Sequence, residues 1–432
     1  MRIYIGNSEI AGYYRNLSIG FRNIGVDCDL ITESSHVFGY GGESKKPFSL
    51  RVWNWANRKR LSKSRFLLSR LVWSAVENLS FVFLILLVIV RYDCFIFSFG
   101  SSLLPDNRDL PWLRFFRKII VSNLMHGSEI RPPYIDGSYQ SISGDLPQIE
   151  QINKLTKRNK TVAMRHCKYS SFIIGAPFSS SHFLNKKMLN SFYIGVPYQC
   201  QSEKHMKENS REESSIKEIR ILHSPSHPAA KGTQKITEAI LNLREKGYQI
   251  NFVYLHGVSN QVVLDEIKKC DFVVDQIYSD APLSGFATEA AWFGKPSVVA
   301  GYGFDQLSRF VPDSIWPPSK ICHPDKIESS IEELITNVQL RQIIGKTAQS
   351  FVHNNWNCEV VARNYVRIFK RDIPKKWWLD PNDVEYFEGA CQPVEKTKFV
   401  IQLMVETFGE ESLCLEDKPL LKKAFIDFAF TK

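Results

Sequence analysis

Four short apolar runs, at 219–223, 250–255, 271–275 and 297–300, alternate with helical patterns. Such alternation constrains the fold more than composition does. Strands joined through helices lie parallel in one sheet, and helices cover both of its faces. Ligands of such sheets bind at the carboxyl ends of the strands. The first half repeats the pattern, with strand candidates at 2–5, 27–31, 94–99, 118–123 and 172–175. Between the halves, residues 201–218 are nearly all polar, which marks a linker. The expected architecture is α/β, with two Rossmann-like, doubly wound domains facing across a cleft. Residues 1–200 form the first domain, 201–218 the linker, 219–358 the second domain and 359–376 a closing helix. Residues 377–432 form a helical tail to which the sequence assigns no role.

A chain of 432 residues can bury two separate cores. Nine cysteines are scattered singly, at 28, 94, 167, 200, 270, 322, 358, 391 and 414, with no C-x-x-C pair. That distribution favours reduced thiols in a cytosolic protein over a disulfide framework or a zinc site. The start, Met1 to Gly6, has the pattern of a first strand rather than of a signal peptide.

The net charge of +10 is uneven: residues 1–200 carry +13 and residues 201–432 carry −3. Lys45 to Val76 holds nine basic residues and no acid, interleaved with Trp53, Trp55, Phe66, Leu67, Leu68 and Trp73. A basic, tryptophan-bearing amphipathic stretch suits an anionic membrane surface. The alternative is a solvated basic face with its aromatics packed inward. No nucleic-acid motif accompanies the charge, so nucleic acid is not an expected partner. Phe81 to Val90 is apolar throughout. A spanning helix needs about 20 such residues, so a buried helix feeding the Cys94–Phe99 strand is expected, with partial membrane insertion as the alternative. The expected location is the cytoplasm, peripheral on the inner face of the plasma membrane.

The second half carries the chemistry. After its first strand come His223, Ser224, Pro225, Ser226 and His227, then Lys231-Gly232-Thr233 at a helix start. Gly257-Val258 follows the second strand, Asp275-Gln276 closes the third, and Ser284 to Glu289 opens a further helix. A diphosphate requires positive charge and available backbone N–H groups, and a ribose requires a carboxylate that accepts from its hydroxyls. Lys231 supplies the cation, Gly285 allows close backbone approach and Glu289 supplies the carboxylate. The plainer reading is a helix-terminal lysine and a first-turn glutamate that complements a helix dipole.

These motifs, continuing through Phe293-Gly294-Lys295-Pro296, resemble the donor half of retaining glycosyltransferases of family 4, which have the GT-B architecture. Weaker matches in the first half are the loop around Gly12, Ser101–Pro105, Asp109–Pro111 and His126–Arg131. The resemblance implies a nucleoside-diphosphate sugar, of UDP or GDP, held mostly by the second domain. Its donor-binding residues would be Ser224, His227, Lys231, Gly232, Gly257, Val258, Ser284, Gly285, Phe286, Ala287, Thr288 and Glu289, with Gly12 approaching from the first domain. His126, Lys231 and Glu289 would be catalytic, and Glu129, Arg131 and Asp280 would contact sugar or acceptor. The acceptor would be a glycan or a lipid-linked glycan, as in polysaccharide biosynthesis, with no metal or other cofactor required.

Two positions depart from the family pattern: Ser226 stands where an arginine is usual, and Ala281 replaces the first of two glutamates. Asp280 is the neighbouring carboxylate that can substitute. The departures keep two rivals open, a GT-B nucleotide-sugar 2-epimerase and a non-catalytic partner protein. Asp27-Cys28-Asp29 mimics a metal-binding D-x-D motif but opens a strand. His166-Cys167 and the pair His353 and Cys358 lack metal-ligand spacing.

Overall fold

The computed structural model describes residues 1–32, 48–61, 67–139, 148–199 and 218–431. The first domain runs β1 (Arg2–Asn7), α1 (Tyr13–Asn23), β2 (Asp27–Thr32), α2 (Phe48–Leu61), α3 (Leu67–Arg91), β3 (Cys94–Ser98) and α4 (Leu110–Phe115). It continues through β4 (Ile119–Asn123), α5 (Ile149–Tyr169), β5 (Phe172–Gly175), α6 (Pro177–Ser180), β6 (Met188–Asn190) and α7 (Ser191–Ile194). Ile3, Tyr4 and Ile5 are wholly buried, as are Phe95 and Ile96. Consecutive buried residues mark strands covered on both faces, which is the condition of a central parallel strand.

The second domain runs β7 (Ile219–His223), α8 (Thr233–Glu245), β8 (Ile250–Tyr254), α9 (Asn260–Lys269), β9 (Phe272–Ser279) and α10 (Gly285–Trp292). It continues through β10 (Ser297–Gly301), α11 (Phe304–Leu307), β11 (Lys320–Cys322), α12 (Ile327–Thr336) and α13 (Val338–Asn355). The chain then adds α14 (Cys358–Phe369), β12 (Trp378–Leu379), α15 (Val394–Phe408) and α16 (Pro419–Phe430).

The first sheet has the order β12-β6-β5-β4-β3-β1-β2 and the second β11-β10-β9-β7-β8. Every pair is parallel except β12 with β6. In each sheet the order reverses beside the first strand, between β1 and β3 and between β7 and β9. Ligands of doubly wound sheets bind at such switch points. These are the two Rossmann-like domains of a GT-B arrangement, so the expected fold class stands.

Helix α14 returns to the first domain, where Val361, Ala362 and Tyr365 join the buried cluster of Tyr14, Leu17 and Phe21. The contact is tight at Gly20, where a Cβ would lie 2.0 Å from the Cys358 carbonyl oxygen. The linker proposed at 201–218 falls, apart from Glu218, outside the described residues, as do 45–47 and 62–66 of the basic stretch 45–76.

Two expectations need correction. Phe81–Val90 is helical, within α3, but only one face is buried. Leu84, Ile85 and Val88 are 1–3% exposed, whereas Leu86 is 53% and Val90 86% exposed. The strand beside α3 needs only one stripe of the helix, and the other stripe has no cover among the described residues. The tail from 377 is also more than a helical appendage. It adds β12 to the first sheet, and it ties the two domains together. Ala390 N–H donates to Ile135 O (3.0 Å) in the first domain, and Cys391 N–H to Tyr278 O (2.9 Å) in the second. Val400, Ile401, Met404 and Phe425 belong to one buried cluster with residues of both domains, which gives the tail a hydrophobic reason to stay docked.

Candidate functional site

The loops that follow β1, β3, β4, β7 and β9 converge at the cleft. On the second-domain side, His223 ends β7 as a buried pin. Its Nδ1 meets Val274 O at 2.8 Å and its Nε2 meets Thr233 Oγ1 at 2.8 Å. Burial pushes its pKa down to about 4, so it is neutral at physiological pH and structural in role. The next loop carries Ser224 and the exposed His227, whose Nδ1 accepts from Ala230 N–H at 3.3 Å. It ends at Gly232, whose φ of 71° starts α8 and whose missing Cβ leaves room for Ile277. Lys231 is half-buried and its ammonium is hydrogen-bonded to Gln276 Oε1.

Helix α10 begins at Gly285, and Ser284 precedes it without capping it. The Ser284 hydroxyl donates instead to Asp275, a buried carboxylate at the end of the second sheet. Burial raises the Asp275 pKa, and Lys231 and Ser284 work in the opposite direction. The first turn of α10, Gly285 to Ala287, thus keeps its N–H groups from side-chain capping, and the helix dipole adds positive potential there. Thr288 N–H closes back on Ser284 O at 2.8 Å. Glu289 is 5% exposed and accepts from Asn260 Nδ2 at 2.8 Å. Gly257 and Val258 lie in the loop after β8. His256 beside them meets Pro225 O at 3.1 Å, which ties this loop to the Ser224 loop.

On the first-domain side, α1 starts differently. The Glu9 carboxylate accepts from the N–H groups of Ile10 (2.9 Å), Tyr14 (3.2 Å) and Arg15 (2.8 Å). Tyr13 and Asn16 N–H close on Ile10 O and Gly12 O. The opening amides of α1 are therefore committed inside the first domain, and a ligand meets Ala11 and Gly12 rather than a helix start. Burial raises the Glu9 pKa to about 7, against the bonds from Arg15, Tyr14 and Ile10. The two domains meet here: a Cβ on Gly285 would lie 3.8 Å from the Ala11 Cβ.

His126 Nε2 bonds the Tyr14 hydroxyl at 2.8 Å, and its ring packs edge-on against Tyr13 and Tyr14. Burial lowers its pKa to about 4, which keeps the ring neutral. Its backbone N–H donates to Glu129 Oε1 at 2.7 Å. The other oxygen of Glu129 is buried and bonds nothing among the described residues, and burial lifts the pKa of this group to about 7. Arg131 pairs with Asp136 at 3.1 Å and, across the cleft, with Asp280. Burial works against its charge, but Asp280 and then Asp136 more than restore it.

The structure thus joins Lys231, Ser284 and Gly285 around the second switch point, His126 to Glu129, and Arg131 to Asp280. His227, Gly257 and Val258 sit farther out on the rim. Asp280, expected to contact the sugar or acceptor, pairs with Arg131, expected to do the same. Sequence reasoning overlooked Glu9, Tyr14, Asn260 and Cys391. Nothing in their local sequence signals a role, because each acts on a partner distant in the chain or inside a fold-specific loop. The decoys are structural. Asp29 accepts from Tyr92 (2.7 Å) and Arg91 (3.0 Å) at the far end of the first sheet, and His166 is buried against Ser122 (2.6 Å) and Asn107 (2.8 Å). Among the described residues no group of three or more His, Cys, Asp or Glu could hold a metal.

No family model matches the chain. An uncharacterised glycosyltransferase of Methanocaldococcus jannaschii is 29% identical over 126 residues, which make up 29% of this chain and 32% of that protein. The chain therefore matches about a third of the length of that curated relative. Among solved structures, HepE from Anabaena, crystallised with UDP and glucose, aligns with a TM-score of 0.46 at 10% identity, over 86% of this chain and 99% of HepE. The glycosyltransferase SnogD from Streptomyces nogalater aligns with a TM-score of 0.42 at 10% identity, over 85% and 99% of the two chains. Likeness this remote says nothing of what this chain binds.

Proposed function

We propose that the chain is a glycosyltransferase that moves a sugar from a UDP- or GDP-sugar to a glycan or lipid-linked acceptor, with retention of anomeric configuration. The observation that carries this reading is the contrast between two helix starts that meet at the cleft. The opening of α1 is capped by the Glu9 carboxylate, whereas the opening of α10 is uncapped and has Lys231 and Glu289 in its own domain. Negative charge that grows on a departing diphosphate is stabilised by an ammonium and by helix N-terminal amides. Glu289 then accepts from the ribose hydroxyls. In the retaining step the bond from the anomeric carbon to the phosphate oxygen breaks as the acceptor oxygen bonds the same face. The acceptor proton passes to the departing phosphate, so the protein supplies positioning and charge rather than a nucleophile.

One observation favours a second reading. The orphan oxygen of Glu129, in a group raised to about 7, has the properties of a general base, which would take the acceptor proton in an inverting transfer. The test is to screen UDP- and GDP-sugars for hydrolysis and transfer and to assign the product anomer by NMR. Retention supports the first reading and inversion the second. If calorimetry detects no binding of any nucleoside diphosphate, both fail.

A further inference from the structure

Helix α3 has an uncovered apolar ridge. Leu79 (72% exposed), Val82 (52%), Leu86 (53%) and Val90 (86%) recur every three to four residues and so share one face. Within the 20-residue stretch Val72–Arg91 a window of 18 residues has a mean hydropathy of 2.2, yet only 28% of that window is buried. Length and composition would allow α3 to cross a bilayer, but its inner face belongs to the first sheet. Leu84 and Val88 pack with Phe95 and Phe97, and Glu77 on the same helix is buried. A helix committed in this way lies along a surface instead of spanning it.

Apolar side chains are exposed on the neighbouring α4 as well: Trp112, whose ring lies 6.0 Å from that of Phe81 on the inner side of α3, Phe115 (75%) and Phe116. Behind α4, towards α5, lies an open groove of about 780 Å³ lined by Arg108, Lys160, Arg165 and Lys168, with Asp106 its sole acid. Asp417 neutralises Lys160 at 2.5 Å and Glu77 pairs with Arg108 at 3.5 Å, which leaves Arg165 and Lys168 against Asp106, a surplus of one positive charge. Asn107 in the groove wall donates to Gly100 O (3.1 Å), in the loop after β3, so the groove opens beside the cleft. On the other flank, α2 packs its Trp55 against Trp73 of α3 and presents exposed Arg58 and Lys59.

An apolar ridge of this size flanked by cations on both sides marks an interaction surface. We propose that this face seats the first domain on an anionic lipid bilayer, with the α3 ridge and the exposed α4 side chains entering the interface and the α4–α5 groove receiving lipid phosphates. Charge selects this occupant over a second copy of the chain, because two such surfaces would bring cations against cations. The inference is independent of the reaction proposed above.

Flotation of the full chain with phosphatidylcholine vesicles, with and without phosphatidylglycerol, tests it. Binding to the anionic vesicles that weakens with added salt is expected. The double variant Arg165→Gln, Lys168→Gln should lower partitioning roughly thirty-fold, at about fivefold per cation. The variant Leu79→Glu, Leu86→Glu, altered only at exposed positions, should abolish partitioning while its thermal unfolding stays cooperative. The proposal is overturned if the wild-type chain ignores anionic vesicles, or if both variants bind like wild type. It is also overturned if the chain dimerises without lipid through a contact that Leu79→Glu disrupts.

Discussion

Arg131 in the loop after β4 and Asp280 in the loop after β9 form an ion pair that closes the cleft from one domain to the other. The guanidinium is 6% exposed and also holds Asp136, which is wholly buried. Removing one member of a buried charged set leaves its partners unpaired, which costs about 3–5 kcal/mol. Arg131→Met should lower the unfolding free energy by about that amount in urea titrations. Asp280→Asn should cost less, since Asp280 is 17% exposed and Asp136 still pairs with the arginine.

Lys231→Ala should lower kcat by about 100-fold or more, because a charge stabiliser at the reacting group contributes at least that much. Glu289→Ala should raise the donor KM roughly tenfold or more, because it leaves the ribose hydroxyls without their charged acceptor. Circular dichroism should remain native. Wild-type kinetics in both variants would remove these residues from the site.

Stability should fall as the medium is acidified. His126, His166, His182 and His223 all have pKa values lowered by burial to about 4, from 6.5. Each resists protonation when folded but not when unfolded. Each therefore contributes stability above pH 6.5 that is lost as pH falls towards 4, by up to about 3 kcal/mol per group. Glu9 and Glu129, raised to about 7 from 4.5, act in the opposite sense, their stability being lost as pH rises from 4.5 through 7. Glu129→Gln, which removes one opposing group, should make the acid loss steeper between pH 7 and 4.5. Denaturant titrations across that range measure the difference.

The docked tail can be loosened at one point. A Cβ on Gly137 would stand 2.1 Å from the Cys391 carbonyl oxygen, which is backbone and cannot swing aside. Gly137→Ala should cost about 1–3 kcal/mol through overpacking. It should also speed proteolytic cleavage between residues 377 and 431, followed by mass spectrometry.

Much of the architecture was legible because strands buried on both faces are written as apolar runs. The candidates at 94–99, 219–223 and 297–300 lie within a residue of β3, β7 and β10, and 2–5 falls inside β1. Strands β6, β11 and β12 escaped, since two or three residues at or near a sheet edge carry no period of their own. In the candidate site, Lys231-Gly232 and the Gly285-led helix start with Glu289 could be read because they are local patterns, whereas the turn of Ser284 away from that helix start towards Asp275 could not. Glu9 could not, because its role depends on how the β1–α1 loop folds back onto the helix it precedes.

The sequence by itself determined the two parallel-sheet domains, the order of their strands and connecting loops and the uneven charge, all of which follow from periodicity and composition. Tertiary structure alone decided what faces what. It paired Asp280 with Arg131 across the cleft, left one face of α3 exposed among the described residues, and made the tail a bridge between the domains. These outcomes depend on contacts between residues far apart in the chain, whose energies no local pattern encodes.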